Sequence, residues 1–486
     1  MSIQKTAWII SISGLPGLFV ASNQATAQEG ARAVSILSDA ECWERMPAPK
    51  SGRGAPLPNW AKVVAVHFPR TAASLLELDL VHRTKCPIDP GLRSAMRWVI
   101  ARANRCAYAE ATALADARRA GLSDGEISRL QSGDFAGFRP EDRAALEFAK
   151  KMTLASSEVS DAEFASLVKA FGAEKAAAMV LLCAYGNFQD RLLLSLGVPQ
   201  ETDGPLAPVE VAFEISSLAT KMATPPRTEP RPLGDAKRPD IVNDEPEWTV
   251  VPFESLQSKL EIQRSRPTRL PVPPWSEVEQ NLPQGFTRPT RIVWNLICLG
   301  YAPQLAMPWE TLMRTNGAEG GAKVDRIFSL SLFWVVTRAI DCPYCMGHCE
   351  MNWEVAGLDS ARITERSRVL ASADWSPFPE EEQRALALAR NLTQAPWAVT
   401  NEETSQLARD FGPDRALQIL LYASRCNYMT RISNGFQLTL ERDNVFWEYY
   451  GVEPLKTTAT KTPASTTEEV RPAADEKRAG QPQVPK

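Results

Sequence analysis

Apolar residues recur at three- and four-residue spacing through Arg143–Met152 and Gln383–Leu392, the period of a helix that buries one stripe. Two longer stretches, Ala176–Leu196 and Ala416–Phe436, are strongly apolar and free of proline, so they predict helices enclosed on most sides. Asp161 and Asn401 are candidate N-caps for the helices just upstream of these, and Gly172 and Gly412 punctuate the ends of those upstream helices. No convincing run alternates with the period of a strand, and the pattern predicts an all-α fold.

The two blocks that carry this pattern resemble each other. Arg97-Trp-Val-Ile-Ala-Arg-Ala-Asn-Arg-Cys106-Ala-Tyr108 aligns with Phe333-Trp-Val-Val-Thr-Arg-Ala-Ile-Asp-Cys342-Pro-Tyr344, 236 positions on. Phe171-Gly172 matches Phe411-Gly412, and Asn187-Phe-Gln-Asp-Arg191 matches Asn427-Tyr-Met-Thr-Arg431, 240 positions on. Trp60 and Pro69 match Trp294 and Pro303 at 234. A shared order with so little drift predicts an internal duplication, with compact blocks at 40–202 and 275–452. Between them, 203–274 is rich in Pro, Arg, Glu and Asp and predicts a linker or wrapping arm; 453–486 offers almost nothing to bury and predicts a disordered tail.

Segment 1–27 has Lys5, an apolar run from Ala7 to Ala21, and Ala25-Thr26-Ala27 before Gln28. That order predicts a secretory signal and an exported or periplasmic protein, the alternative being a frayed cytoplasmic N-terminus. The best later apolar run, Ile327–Val336, is too short to span a bilayer. With 44% hydrophobic and 23% charged residues and a net charge of -4, the composition is that of a globular protein with no basic footprint for nucleic acid.

Nine cysteines in 486 residues are too sparse for a disulfide scaffold. Three of them, with one of only three histidines, form Cys342-Pro-Tyr-Cys345-Met-Gly-His348-Cys349. Pro343 suits the first position of a helix, which puts Cys342 at the N-cap, where the helix dipole favours a thiolate. Cys345 follows at three residues, with Cβ atoms about 5–6 Å apart, close enough for a disulfide after modest adjustment. His348 could move a proton, and Cys349 is an alternative resolving thiol. A zinc site is the main competitor, but Cys342 and Cys349 on one helix lie about 10 Å apart along its axis, too far to share one ion. Buried structural thiols are the remaining reading. Cys183, Cys298 and Cys426 read as core; Cys42 and Cys86 read as loop residues. Arg191 and Arg431 read as structural ion-pair residues, and Trp334, Trp353 and Trp375 as core. No Gly-rich phosphate loop or other organic cofactor motif is visible.

The upstream Leu-Pro-x-Trp, the helix ending in Cys-x-Tyr-Cys and the late Asn187-Phe-x-x-Arg191 followed by Leu-Gly197-Val-Pro199 resemble the carboxymuconolactone decarboxylase family, which includes the alkylhydroperoxidase D proteins. The resemblance covers both blocks. It implies helical domains that assemble as oligomers, and hence an internal pseudo-dimer of the two copies or a homo-oligomer of the chain. Redox members of the family use Cys-x-x-Cys, a histidine four residues later and a glutamate twelve residues earlier. Here Cys342 and Cys345 match, His348 falls one position early, Cys349 takes the histidine position and Leu330 the glutamate position. Glu350, Asp341 and Glu354 are the nearest carboxylates that could stand in. The first copy keeps Cys106 but has Ala109 and Ser94 at the second cysteine and glutamate positions, which leaves it a structural role or, as the alternative, a substrate or partner surface.

The expectation is a thiol-dependent peroxidase or thiol–disulfide oxidoreductase acting through Cys342 and Cys345 with His348. Its partners would be a hydroperoxide or disulfide substrate and an external thiol or dithiol reductant. The N-cap place favours Cys342 as the attacking thiol, whereas the resemblance implies Cys345. A non-enzymatic helical scaffold is the alternative, ahead of a carboxymuconolactone-type decarboxylase or a metal-binding protein.

Overall fold

The computed structural model describes residues 35–213, 231–235, 248, 251–372 and 374–454. The signal read at 1–27 and nearly all of the tail lie outside these residues. The fold is all-α. Among the described residues the only sheet is a two-stranded antiparallel ribbon, Pro49–Ser51 against Ala212–Phe213. No described helix is long and apolar enough to cross a membrane.

Helices recur in the same order in both blocks. Pro90–Ala103, Ala107–Arg119, Pro140–Leu154, Asp161–Phe171 and Ala173–Ser195 are followed, after the intervening segment, by Arg326–Ala339, Pro343–Ala356, Glu380–Gln394, Asn401–Phe411 and Pro413–Phe436. The helices Asp161–Phe171 and Asn401–Phe411 begin one residue away from the expected caps. Ser160 and Thr400 are the N-caps, because each belongs to a capping box with the glutamate three residues on, Glu163 or Glu403. Gly172 and Gly412 end these helices with φ of 84° and 81°, a backbone region that favours glycine.

Ala173–Ser195 and Pro413–Phe436 lie against each other at the centre, which accounts for their apolar character all round. The contact is reciprocal. Arg191 donates to the Thr393 carbonyl at 2.8 Å, and Arg431 donates to the Thr153 carbonyl at 3.1 Å. Each guanidinium also holds the asparagine four residues before it, Asn187 or Asn427, at 2.8 Å. The two arginines therefore tie the halves together through carbonyls, where ion pairs were expected. The exchange is between positions 240 residues apart, Arg191 with Arg431 and Thr153 with Thr393. Burial pulls the Arg191 guanidinium down to about 9. One aromatic contact also crosses the seam: Trp309, stacked on Tyr428 of its own half at 3.5 Å between centroids, meets Phe188 of the other edge-on at 5.3 Å.

The proline-rich stretch 203–274 contains a helix, Phe253–Ser265, whose buried residues are only Leu256, Leu260 and Gln263. So thin a stripe is hard to see in a polar sequence. The helix lies along Pro343–Ala356, with Gln257 donating to Glu350 at 2.9 Å and Lys259 pairing with Asp341 at 2.7 Å.

One titration follows from packing alone. Burial pushes the Glu382 carboxyl up to about 7, against the attraction of Arg366. A carboxyl raised in the fold takes up protons the unfolded chain has released, so stability falls as pH rises from the ordinary carboxyl value through 7. Glu382→Gln should therefore melt above the parent at pH 8, and the difference should vanish by pH 4. Equal melting temperatures at both pH values would contradict this.

Candidate functional site

The cysteine helix is set up by a turn. Asp341 takes a left-handed φ of 53°, ending Arg326–Ala339, and the Cys342 N–H closes the turn on the Thr337 carbonyl at 2.8 Å. Arg105, before Cys106, has a φ of 54°, so both halves accept the same uncommon backbone there. Cys342 is the N-cap of Pro343–Ala356 with proline at its start, as the spacing predicts.

All nine cysteines are free and buried, including Cys42, which lies in a helix where a loop was expected. Burial pushes the Cys342 thiol well above its ordinary value, with Cys345 beside it adding to the effect. The N-terminal dipole expected to favour a thiolate at Cys342 is thus outweighed by desolvation. Cys345 directs its S–H to Ser433 Oγ at 3.1 Å, and Ser433 passes its own proton to the Met429 carbonyl at 2.9 Å. Burial likewise raises Cys349, with Cys426, Glu350 and Cys342 contributing.

His348 is the most constrained of the four. Its Nε2 lies 2.7 Å from Glu441 Oε2, and both side chains are 7% exposed. The ring packs against Tyr344 at 4.2 Å and Phe446 at 4.8 Å. Glu441 Oε1 accepts from the Val293 N–H at 2.7 Å and from the Tyr344 hydroxyl at 3.1 Å, while Tyr344 accepts from the Trp294 N–H at 3.1 Å. Burial opposes ionisation of Glu441, but the His348 imidazole and the N–H donors overcome it, and the carboxyl lies below its ordinary value.

Glu441 thus supplies the carboxylate that Leu330, itself buried, does not. The three nominated stand-ins are engaged elsewhere: Glu350 with Gln257 and Ser367, Asp341 with Lys259, and Glu354 with Asn444. Glu441 reaches the site because Gln437 turns left-handed (φ 53°) after the long helix, and because the intervening arm holds the returning chain. Gln263 donates to the Leu438 carbonyl at 2.6 Å and accepts from the Leu440 N–H at 3.2 Å. The signal was present in the repeat. Extending the 240-residue match beyond Gly197-Val-Pro199 places Glu201 over Glu441. Glu201 accepts from the Asn59 N–H at 2.9 Å and from the Tyr108 hydroxyl, which reproduces the Glu441–Tyr344 arrangement without a histidine.

Gly347 lets Leu440 approach the cysteine helix: a Cβ there would lie 2.6 Å from Leu440 Cδ2. Gly347→Ala must displace the buried Leu440 side chain, next to Glu441. We expect a loss of about 1–3 kcal/mol in urea unfolding; an unchanged midpoint would contradict the tight approach.

Among the described residues, no group of three or more His, Cys, Asp or Glu side chains is arranged to hold a metal. Neither a family model nor a curated protein sequence matches the chain. The site itself offers two neighbouring thiols on one helix turn and, one turn on, a buried histidine paired with a carboxylate.

Proposed function

We propose that the chain is a tandem pair of carboxymuconolactone decarboxylase-like domains and that its second half is a thiol oxidoreductase acting on small hydroperoxides. The observation that carries this reading is the buried His348–Glu441 pair, whose histidine lies on the helix that Cys342 caps and Cys345 shares. An imidazole and a carboxylate hydrogen-bonded to each other out of water are costly to desolvate, so their presence at the dithiol's helix supports a role in moving protons.

In the proposed cycle Cys345 gives its proton to His348 and the resulting thiolate attacks the distal peroxide oxygen; the O–O bond breaks, the sulfur keeps the OH as sulfenic acid, and the alkoxide leaves as alcohol with the proton returned by His348. The Cys342 thiol then attacks the sulfenic sulfur, forming the disulfide and releasing water. An external dithiol returns two electrons and two protons. Burial of both sulfurs favours a small peroxide over a protein disulfide as oxidant, since no large substrate could reach them without local opening. Export to the periplasm remains part of the proposal.

The test is mass mapping of the purified full chain after brief exposure to hydrogen peroxide, followed by reduction with a dithiol. Formation of a Cys342–Cys345 disulfide, reversed by the reductant and absent in Cys345→Ser, is expected. A second reading, a non-enzymatic helical scaffold, draws on the burial and raised thiols of Cys342 and Cys349. Thiols that stay reduced throughout would favour it.

A further inference from the structure

The first half contains a cavity where the second half holds its thiol site. Leu330, Cys345 and His348 of the second half align with Ser94, Ala109 and Thr112, 236 residues earlier, and all three of these smaller side chains line the cavity. Lost side-chain volume in a packed interior leaves space unless the surroundings collapse. The space is about 40 Å³, room for roughly three waters or a ligand of a few heavy atoms.

The walls are polar, and their unused hydrogen-bonding capacity lies with donors. The carboxylates are occupied. Asp79 accepts from the Tyr185 hydroxyl at 2.7 Å, Gln189 at 3.0 Å and Arg83 at 3.2 Å, and Asp116 accepts two hydrogen bonds from Arg83, at 2.8 and 2.9 Å. Arg97 is matched with Asp190. Arg93 is different: it gives one N–H to the Cys86 carbonyl at 3.1 Å and makes no ion pair among the described residues. His82 is 1% exposed, yet neither ring nitrogen has a hydrogen-bond partner. Its ring is stacked on Tyr185 with centroids 4.1 Å apart, so it is held in place rather than loose. His82 and Arg83 belong to a π-helical turn, Val81–Lys85, an irregularity that recurs at functional sites.

A buried imidazole with both nitrogens unpaired costs stability, and that cost falls if a small acceptor enters; Arg93, attracted by Asp116 and Asp89 but in no ion pair with either, adds positive charge to the same wall. We propose that this cavity is a binding site for a small carboxylate or similar oxyanion, held by Arg93 and His82 and independent of the thiol chemistry of the second half. Burial, with Arg97 and Arg93 nearby, holds the His82 ring down to about 3, so it is neutral and can offer one N–H. Arg93 supplies the charge-assisted bonds.

The test titrates the full chain with ¹³C-labelled formate and acetate, read by ligand NMR and by melting temperature, with chloride at equal ionic strength as control. Saturable binding of one carboxylate per chain, weakened at least about tenfold in Arg93→Gln and unchanged in Cys345→Ser, is expected. Ala109→Leu, which adds side-chain volume to the lining, should also abolish binding. If Arg93→Gln does not fold, the parent and Ala109→Leu decide the matter. No saturable binding by the parent, binding that chloride reproduces, or binding that survives in folded Ala109→Leu would overturn the proposal.

Discussion

Asp190→Asn should cost about 3–5 kcal/mol in denaturant unfolding, the range found when one partner of a buried ion pair is removed. Asp190 is wholly buried and pairs with Arg97, whose side chain is 11% exposed. It also accepts from Asn104 at 2.9 Å, and Asn104 in turn accepts from Arg191, the guanidinium that crosses to the other half. Removing the carboxylate strands one cation and loosens the second. The amide cannot replace it, because its NH2 group would face donors.

The other half of the chain suggests a repair. At the positions matching Arg97, Asn104 and Asp190 it has Phe333, Ile340 and Thr430, an apolar solution to the same packing problem. The triple change Arg97→Phe, Asn104→Ile and Asp190→Thr should therefore recover most of the stability that Asp190→Asn loses, in line with the near-neutral replacement of buried ion pairs by well-packed apolar groups. A single variant within about 0.5 kcal/mol of the parent would mean that the network is not worth what its burial implies.

The helical class was legible because helix periodicity survives in local sequence: Arg143–Met152 and Gln383–Leu392 each fall inside a helix of the structure. So was the N-cap at Cys342, since Pro343 is a local signal. What was not legible was long-range. Glu441 lies 93 positions from His348 and is brought to it by a left-handed turn at Gln437 and by hydrogen bonds from Gln263, neither of which leaves a mark at the cysteine motif. The raised Cys342 thiol was missed for a related reason. Helix position is written in the sequence, whereas depth of burial is set by everything packed around it. The cross-seam role of Arg191 and Arg431 escaped because their partners are backbone carbonyls, which carry no sequence identity.

His348→Gln should slow peroxide-driven disulfide formation by about 10²–10⁴-fold, the usual worth of a positioned proton donor. Cys345→Ser should abolish it. Glu441→Gln separates the roles further. It keeps the imidazole in place but removes the carboxylate charge beside it, so its effect should fall short of the histidine variant and should change the pH profile as well as the rate. The direction follows from the carboxyl: Glu441 lies below its ordinary value in the fold, so the stabilisation it gives is present above the ordinary carboxyl value and is lost as pH falls through the lower, folded value. The parent should lose activity on that acid limb, and Glu441→Gln should lack it. Tyr344→Phe removes one hydroxyl from the same carboxylate while leaving the Val293 N–H and His348 in place, and should be the mildest of the set. Stopped-flow measurement of sulfenate formation across pH, with helicity checked for each variant, orders them. A His348→Gln chain that is folded and oxidises at the parental rate would remove the proton-transfer role and with it the argument from the buried pair.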